Sequence, residues 1–495
     1  MASLLQRRGV SSLLALLAGA LTTLTFAPFN VWGLGPVAMA AFYVVLQHVN
    51  VRQALWRGWL FGVGLFGSGA SWVYVSIHDF GNTGGPLAIV LTVLFIAAMA
   101  LFVMLPALLY RFAASSRLDV PAFAGAWALG EAFRSWAFTG FPWLFLGSAH
   151  VSSPLASLAP LGGVYLVSLV VALSGALLAR ALLYRRWWLL APLAALWLIP
   201  LALPTQWARP AGDEVSVSLV QGDLPQLSKW TPEGQRDAIN TYFGLTRQQG
   251  LDSDLVIWPE TALPMLEQQA MPFLQRVQST LPADSTLMTG IMQRDQTGMF
   301  YNSMIALGDT PGQYRKAHLV PFGEYLPLEP LLGGLLKIFN IPMGNIGAGG
   351  NDQPPLQAHG LRLGVAICYE IVYPDLVRQR AESANALVTI SNDTWFGHSI
   401  GPLQHMQMAQ LRALENNRYL LRATNNGMTA IVAPDGRLQA RAPRFEPAVL
   451  NGTVRPIEGL TPFTRTGSWP TLLLALLMLL GGGILRVKQC NTHTH

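Results

Sequence analysis

Charge is scarce in this chain. Only 12% of its 495 residues are Asp, Glu, Lys or Arg, about half the share of an average soluble protein, so a large part of it belongs in lipid. Also missing is any Gly-x-x-x-x-Gly-Lys or Gly-x-Gly-x-x-Gly loop between a strand and a helix, which removes the usual grounds for a nucleotide site. No set of Cys, His and carboxylates reaches a metal-ligand count. His398 and His405 are seven apart, but Gly401 and Pro402 lie between them. Neither a cofactor nor a metal is therefore expected. Internal inverted repeats, which many transporters show, are not evident, and few ionisable residues interrupt the apolar runs, so a transporter or channel is disfavoured. Cysteine is nearly absent as well: the chain has only Cys368 and Cys490.

What is abundant is apolar sequence, 52% of the residues. A bilayer core about 30 Å thick needs roughly 20 apolar residues of helix. Seven such stretches lie near residues 10–27, 31–48, 58–77, 86–110, 120–138, 155–179 and 187–204, and an eighth at 469–485. The expected organisation is a membrane domain of seven transmembrane helices (1–205), a globular domain (206–467), and a C-terminal helix with its tail (468–495). Short cytoplasmic loops are enriched in Arg and Lys. Arg7 and Arg8, Arg52 and Arg57, Arg111 and Arg117, Arg180 with Arg185 and Arg186, then Arg486 and Lys488 all fall on one side if the N-terminus is inside. That orientation puts both termini in the cytoplasm and residues 206–467 in the periplasm. The net charge of +6 is then a matter of topology, not of nucleic-acid binding. Arg7, Arg8, an apolar run and "AGA" at 18–20 also fit a cleavable signal peptide, which would leave the globular domain on the same side. Glu131 and Arg134, spaced i, i+3 near the end of the fifth span, read as a structural pair. The aromatic stretch 134–147 near them reads equally as an interfacial belt and as the lining of an entry path.

In that topology Cys368 is a lone thiol in an oxidising compartment, where a structural cysteine is usually bonded to another. A buried core cysteine is the bland reading. Around it, β-type runs at 215–223, 254–264, 286–293, 302–308, 361–370, 386–393 and 428–436 alternate with polar helical stretches such as 233–249 and 405–423. That alternation indicates an α/β layered domain, with functional groups gathered at strand ends. A thiol attacks as thiolate and needs a base or a positive neighbour. Glu260 in "WPET" and Lys316 in "YRKAHLVPFGEYLP" supply one of each, although alone each reads as an ordinary surface charge.

The ordered set "WPET", "RKAHLVPFGEYLP" and "CYE" resembles the Glu-Lys-Cys triad of the nitrilase superfamily. With seven spans before and one after, and with "EAFRSW" and "GFPW" at 131–143, nearly the whole chain resembles the membrane-embedded branch of that superfamily, the apolipoprotein N-acyltransferases. The resemblance implies an αββα sandwich beside the multi-span helical domain, with Cys368 as nucleophile, Glu260 as general base and Lys316 as stabiliser of the tetrahedral intermediate. It also implies that Glu324, Tyr369 and Glu370 support the triad, while Trp230 and Trp395 line a lipid-accessible cavity unless they merely pack in the core. The partners so implied are a phospholipid acyl donor, phosphatidylethanolamine at its sn-1 ester, and a diacylglyceryl apolipoprotein acceptor. The setting implied is the bacterial inner membrane, with the protein a monomer. A membrane-tethered amidase with the same triad is the alternative. "GNIGAGG" (344–350) reads as a mobile loop near the cleft.

Overall fold

The computed structural model describes residues 8–81, 83–114, 118–204, 206–325 and 346–492. Two compact units result. The first comprises residues 1–77, 84–205 and 466–495, the second residues 78–83 and 206–465. The short segment 78–83 thus groups with the globular unit, where the Phe80 ring meets Trp395 edge-on at 5.6 Å.

Helices occupy all eight apolar stretches of the first unit, but not all reach the expected length. Among the described residues, Gly85–Ala113, Pro154–Leu183 and Trp469–Arg486 are long and apolar enough to cross a membrane, and Val51–Gly69 with Val73–Phe80, bent by 62°, makes a fourth if counted as one span. Gly9–Thr23, Leu34–Val45 and Trp187–Ala202 are shorter apolar helices, and Asp119–Arg134 has only 16 residues. Turns truncate them: after Thr23 the chain closes i→i+3 bonds from Leu24, Thr25 and Phe26 instead of continuing the helix. Since lipid tails are as apolar as Leu, these helices associate through close packing. A Cβ on Gly19 would fall 1.9 Å from the Phe61 carbonyl oxygen, and one on Gly64 2.0 Å from that of Leu16, so the first and third helices touch backbone to backbone.

Glu131 and Arg134 lie within electrostatic reach of each other, and both brace the loop that follows them. Glu131 Oε1 accepts from Trp127 Nε1 (2.9 Å) and the Leu146 amide (2.8 Å), while Arg134 Nη1 donates to the carbonyls of Phe141 (2.9 Å) and Trp143.

The second unit is a four-layer αββα sandwich. One six-stranded sheet runs Ala448–Val454, Val215–Gln221, Leu255–Ile257, Thr286–Arg294, Phe300–Leu307, Gly312–Arg315; the other runs Leu438–Arg441, Ala430–Val432, Leu420–Thr424, Ala386–Ser391, Leu361–Ile367, Leu356–Ala358. Strand alternation sorts the side chains between layers. Val217, Leu219, Leu255 and Ile257 point at the facing sheet and meet Val365, Ile367, Val388 and Ile390. Val220, Val256 and Trp258, one residue out of phase, pack on helices Pro232–Gln249 and Glu267–Gln278 through Ala238, Tyr242, Ala270 and Leu274. Helices Pro374–Ser383 and Gly401–Asn416 cover the outer face of the other sheet.

The expected helix at 405–423 is corrected. It runs Gly401–Asn416 and stops where Asn417 takes a left-handed cap (φ +50°), and Leu420–Thr424 is a central strand parallel to Ala386–Ser391. Gly401 and Pro402 open that helix, so His398 lies outside it. Among the described residues no His, Cys, Asp and Glu cluster can hold a metal.

Candidate active site

Strand ends from both sheets converge. Glu260 follows strand Leu255–Ile257 and Lys316 follows Gly312–Arg315 on one sheet, while Cys368 follows Leu361–Ile367 and Asn392 follows Ala386–Ser391 on the other. Carboxyl ends of parallel strands are where α/β layers leave room for a ligand.

Lys316 is buried between two carboxylates. Its Nζ donates to Glu324 Oε1 at 2.9 Å and lies 3.7 Å from Glu260 Oε1. Asn302 joins the same pair: its Nδ2 donates to Glu260 Oε1 (2.7 Å) and Glu324 Oε1 (3.1 Å), which fixes the amide orientation. The second Glu260 oxygen accepts from the Asn392 amide at 2.9 Å, and the second Glu324 oxygen from the Val320 amide at 2.8 Å. Burial by itself depresses the Lys316 ammonium, but Glu324, then Glu260 and Cys368, more than reverse it, so its pKa is raised above the ordinary lysine range and the charge is secure. A positive group held this way suits a developing oxyanion, since it need not reorganise when charge appears.

Cys368 is the first residue of a 3₁₀ turn, Cys368–Val372, directly after its strand. Its φ of +53° is in the left-handed region, unusual for a side chain with a Cβ. Such strain at a strand-to-helix corner aims a nucleophile out of the sheet. The thiol is only partly exposed. Burial, and then the negative charge of Glu260, push its pKa up to about 12, against the opposing pull of Lys316. At neutral pH it is a thiol, so attack requires that a base take the proton during the reaction.

Glu370 acts as a brace. Fully buried, it accepts from the amides of Ile367 (2.7 Å), Ala317 (2.7 Å) and His318 (3.0 Å) and from the Tyr314 hydroxyl (2.9 Å), tying the cysteine turn to the Lys316 segment. Burial raises its pKa, and the backbone amides, Ile367 first, with Lys316 partly offset this. Tyr369 packs edge-on against Tyr373 at 5.3 Å, and His318 lies on Tyr373 at 4.0 Å.

His405, unabsorbed by any motif, supports the strained cysteine from behind. A carbonyl can only accept, so Nε2 carries the proton and donates to the Cys368 oxygen at 3.2 Å. Nδ1 lies 3.0 Å from both Asp393 Oδ1 and Arg422 Nη2, and Arg422 Nη2 donates to Asp393 Oδ2 at 2.8 Å. Burial, followed by Arg422, lowers the His405 pKa, against the opposing pull of Asp393.

The structure thus brings Glu260, Lys316, Cys368, Glu324 and Glu370 together. Trp230 and Trp395 are not core residues: they are 53% and 42% exposed. The described part of the 344–350 segment is anchored, not loose: the Gly349 amide donates to the Lys316 carbonyl at 2.7 Å and the Gly347 amide to that of Phe300 at 2.7 Å, while Gly344 and Asn345 lie outside the described residues. Sequence reasoning missed Asn302, Asn392 and His405. Asn392 adjoins a motif already singled out; a lone Asn on a strand gives no such signal.

Gly290 shows how closely the Glu260 turn is seated. A Cβ there would lie 2.6 Å from Glu260 Cα and 2.6 Å from the Pro259 carbonyl oxygen, both backbone. Gly290→Ala must therefore displace the carboxylate. Since misplacing a catalytic group by about 1 Å costs on the order of 100-fold, kcat of this variant is expected to fall by about that factor while its far-UV circular dichroism stays unchanged.

Comparisons with known proteins cover both units. The family described as "Apolipoprotein N-acyltransferase N-terminal domain" matches residues 18–177, and "Carbon-nitrogen hydrolase" matches residues 216–457. An apolipoprotein N-acyltransferase from Azotobacter vinelandii is 46% identical over 96% of this chain and 95% of its own, and one from Pseudomonas syringae pv. tomato is 45% identical over 97% and 98%. Among solved structures, a carbon-nitrogen hydrolase from Helicobacter pylori G27 is similar over 52% of this chain and 94% of its own, at 15% identity and a TM-score of 0.37.

Proposed function

The chain belongs to the apolipoprotein N-acyltransferase family, and from that membership we propose roles for its residues and a path for its reaction. It is an acyltransferase of lipoprotein maturation and a membrane protein. The observation that carries the assignment of roles is the meeting of a half-buried, left-handed cysteine with a carboxylate and a doubly paired lysine at the ends of strands from two sheets.

In the first step Cys368 Sγ attacks the sn-1 ester carbonyl of a phospholipid, with phosphatidylethanolamine as donor, and its proton passes to Glu260. Lys316 and the backbone amide of Tyr369 stabilise the oxyanion. The intermediate collapses by expelling the glycerol oxygen, which takes the proton back from Glu260, leaving a thioester and a lysophospholipid. In the second step the α-amine of a diacylglyceryl-cysteine at the apolipoprotein N-terminus attacks the thioester. Glu260 accepts a proton from the nitrogen and returns it to the leaving sulfur, and an amide results. The kinetics are ping-pong. Glu324 holds Lys316 in place, Glu370 and Tyr369 support the cysteine turn, and the exposed Trp230 and Trp395 contact lipid chains.

The protein acts as a monomer in the bacterial inner membrane, with both termini cytoplasmic and residues 206–467 periplasmic. Both substrates are lipid-anchored, and extracting a chain from the bilayer costs about 0.8 kcal/mol per CH₂. Fixing the catalytic unit to the membrane removes that cost. The test is to incubate the purified protein with phosphatidylethanolamine and follow its intact mass, then add a diacylglyceryl-cysteine peptide. One added acyl group, discharged with formation of N-acyl peptide, supports the reading. Release of free fatty acid without acyl-peptide would instead indicate an amidase-type hydrolase.

A further inference from the structure

Lys229 lies in the turn between strand Val215–Gln221 and helix Pro232–Gln249, two residues before the helix cap Thr231. Its side chain is 2% exposed, yet it makes no hydrogen bond or ion pair with any described residue. A buried lysine is rarely left so. Lys316, buried to the same degree, has two carboxylates.

The turn is fixed beside the site. Gln226 Oε1 accepts from Asn392 Nδ2 at 2.6 Å, and the Asn392 amide is the one that holds Glu260. Leu224 is clamped on both sides by the Asn425 side chain, its amide donating at 3.1 Å and its carbonyl accepting at 2.8 Å. Burial lowers the Lys229 pKa to about 8, opposed by the charge of Glu260, so most of it is ammonium at neutral pH. Glu260 is therefore within electrostatic reach of Lys229, but the two do not form an ion pair. Both Glu260 oxygens are already committed to Asn302 and Asn392.

A desolvated cation next to the reacting centre, with no anion of its own, is complementary to an anion that arrives with the substrate. Of the two substrates, only the donor carries one close to the bond that breaks. Its phosphodiester and its sn-1 ester share a three-carbon backbone, whereas the acceptor presents an amine. We propose that Lys229 is a binding residue for the phosphodiester of the acyl donor and selects phosphate-bearing lipids in the first step. This rests on the reaction proposed above.

The experiment compares two donors with identical acyl chains, phosphatidylethanolamine and the uncharged diacylglycerol, in the full-length detergent-solubilised protein. The rate of acyl-enzyme formation is read by intact mass spectrometry for wild type, Lys229→Met and Lys229→Arg. Loss of a charge-assisted hydrogen bond predicts that Lys229→Met acylates about 10- to 100-fold more slowly from the phospholipid. Its rate from diacylglycerol should fall much less than its rate from the phospholipid, so that the ratio of the two rates drops. An unchanged far-UV circular dichroism spectrum shows that the variant is folded, and Lys229→Arg should regain part of the loss. Equal losses on both donors would overturn the proposal and make Lys229 a distant counter-charge for Glu260. An undiminished phospholipid rate would overturn it as well. A wild-type protein that is acylated by neither donor would remove the underlying reaction and this inference together.

Discussion

Cys368→Ala is expected to lose acyl transfer by about 10⁴-fold or more and to gain no acyl mass from phospholipid, because the sulfur proposed to carry the acyl group is gone. Cys490, the second cysteine, lies in the helix Trp469–Thr492 of the other unit. Cys368→Ser separates nucleophilicity from leaving-group quality. A serine acylated there would hold its chain as an oxygen ester, which an amine attacks much less readily than a thioester. The prediction is slow, stoichiometric acylation that the diacylglyceryl-cysteine peptide does not discharge. Both variants should keep the Glu370 brace and the His405 contact, since each reaches the backbone around residue 368 and not the sulfur. Wild-type turnover by Cys368→Ala would remove the thioester from the mechanism.

Much of this was legible in the sequence, and the parts that were not have physical reasons. The triad candidates were readable because Glu260 and Cys368 each follow an apolar run, while Lys316 stands in a turn-rich segment, and "WPE", "RK" and "CYE" are local patterns. The α/β layering followed from apolar strands alternating with polar helices, whereas the αββα arrangement came only from the resemblance to the nitrilase superfamily. Residues 405–423 misled because Arg412, Arg418 and Arg422 read as the polar face of an amphipathic helix, when all three are buried. Arg422 in particular is a strand residue whose charge Asp393 neutralises at 2.8 Å. Only tertiary structure reveals such pairing. Asn302 and His405 were invisible for a related reason: their value lies in what they bond across sequence separations of 42 and 37 residues. In the membrane unit, hydropathy marked the eight apolar helical stretches but not their lengths, because a turn built from apolar residues, as at Leu24–Phe26, scores like the helix it ends.

Glu260→Gln tests the proton path. Burial, and then the Glu260 charge, hold the Cys368 thiol far above neutral pH, so very little preformed thiolate exists at pH 7. On the proposed path wild type avoids that penalty by moving the proton to the Glu260 carboxylate as the sulfur attacks, so its acylation rate should vary little between pH 7 and 9. Glutamine keeps the shape but cannot take the proton, and general-base loss lowers the rate by about 10²- to 10⁴-fold at pH 7. What remains must come from preformed thiolate, so the variant's rate should climb about tenfold per pH unit. The sign of the second-order effect also follows. Removing the Glu260 charge takes away one cause that raises the thiol, so its pKa falls, but burial, the largest cause, persists and keeps it above neutral. The thiolate fraction at each pH is therefore larger than a pKa of about 12 would give, and the climb continues through pH 9 because the pKa stays above neutral. Single-turnover acylation by phospholipid, measured from pH 6.5 to 9.5, distinguishes the cases. A Glu260→Gln profile parallel to wild type and merely lower would mean that another group accepts the proton, whereas a rate that converges on wild type at high pH assigns that role to Glu260.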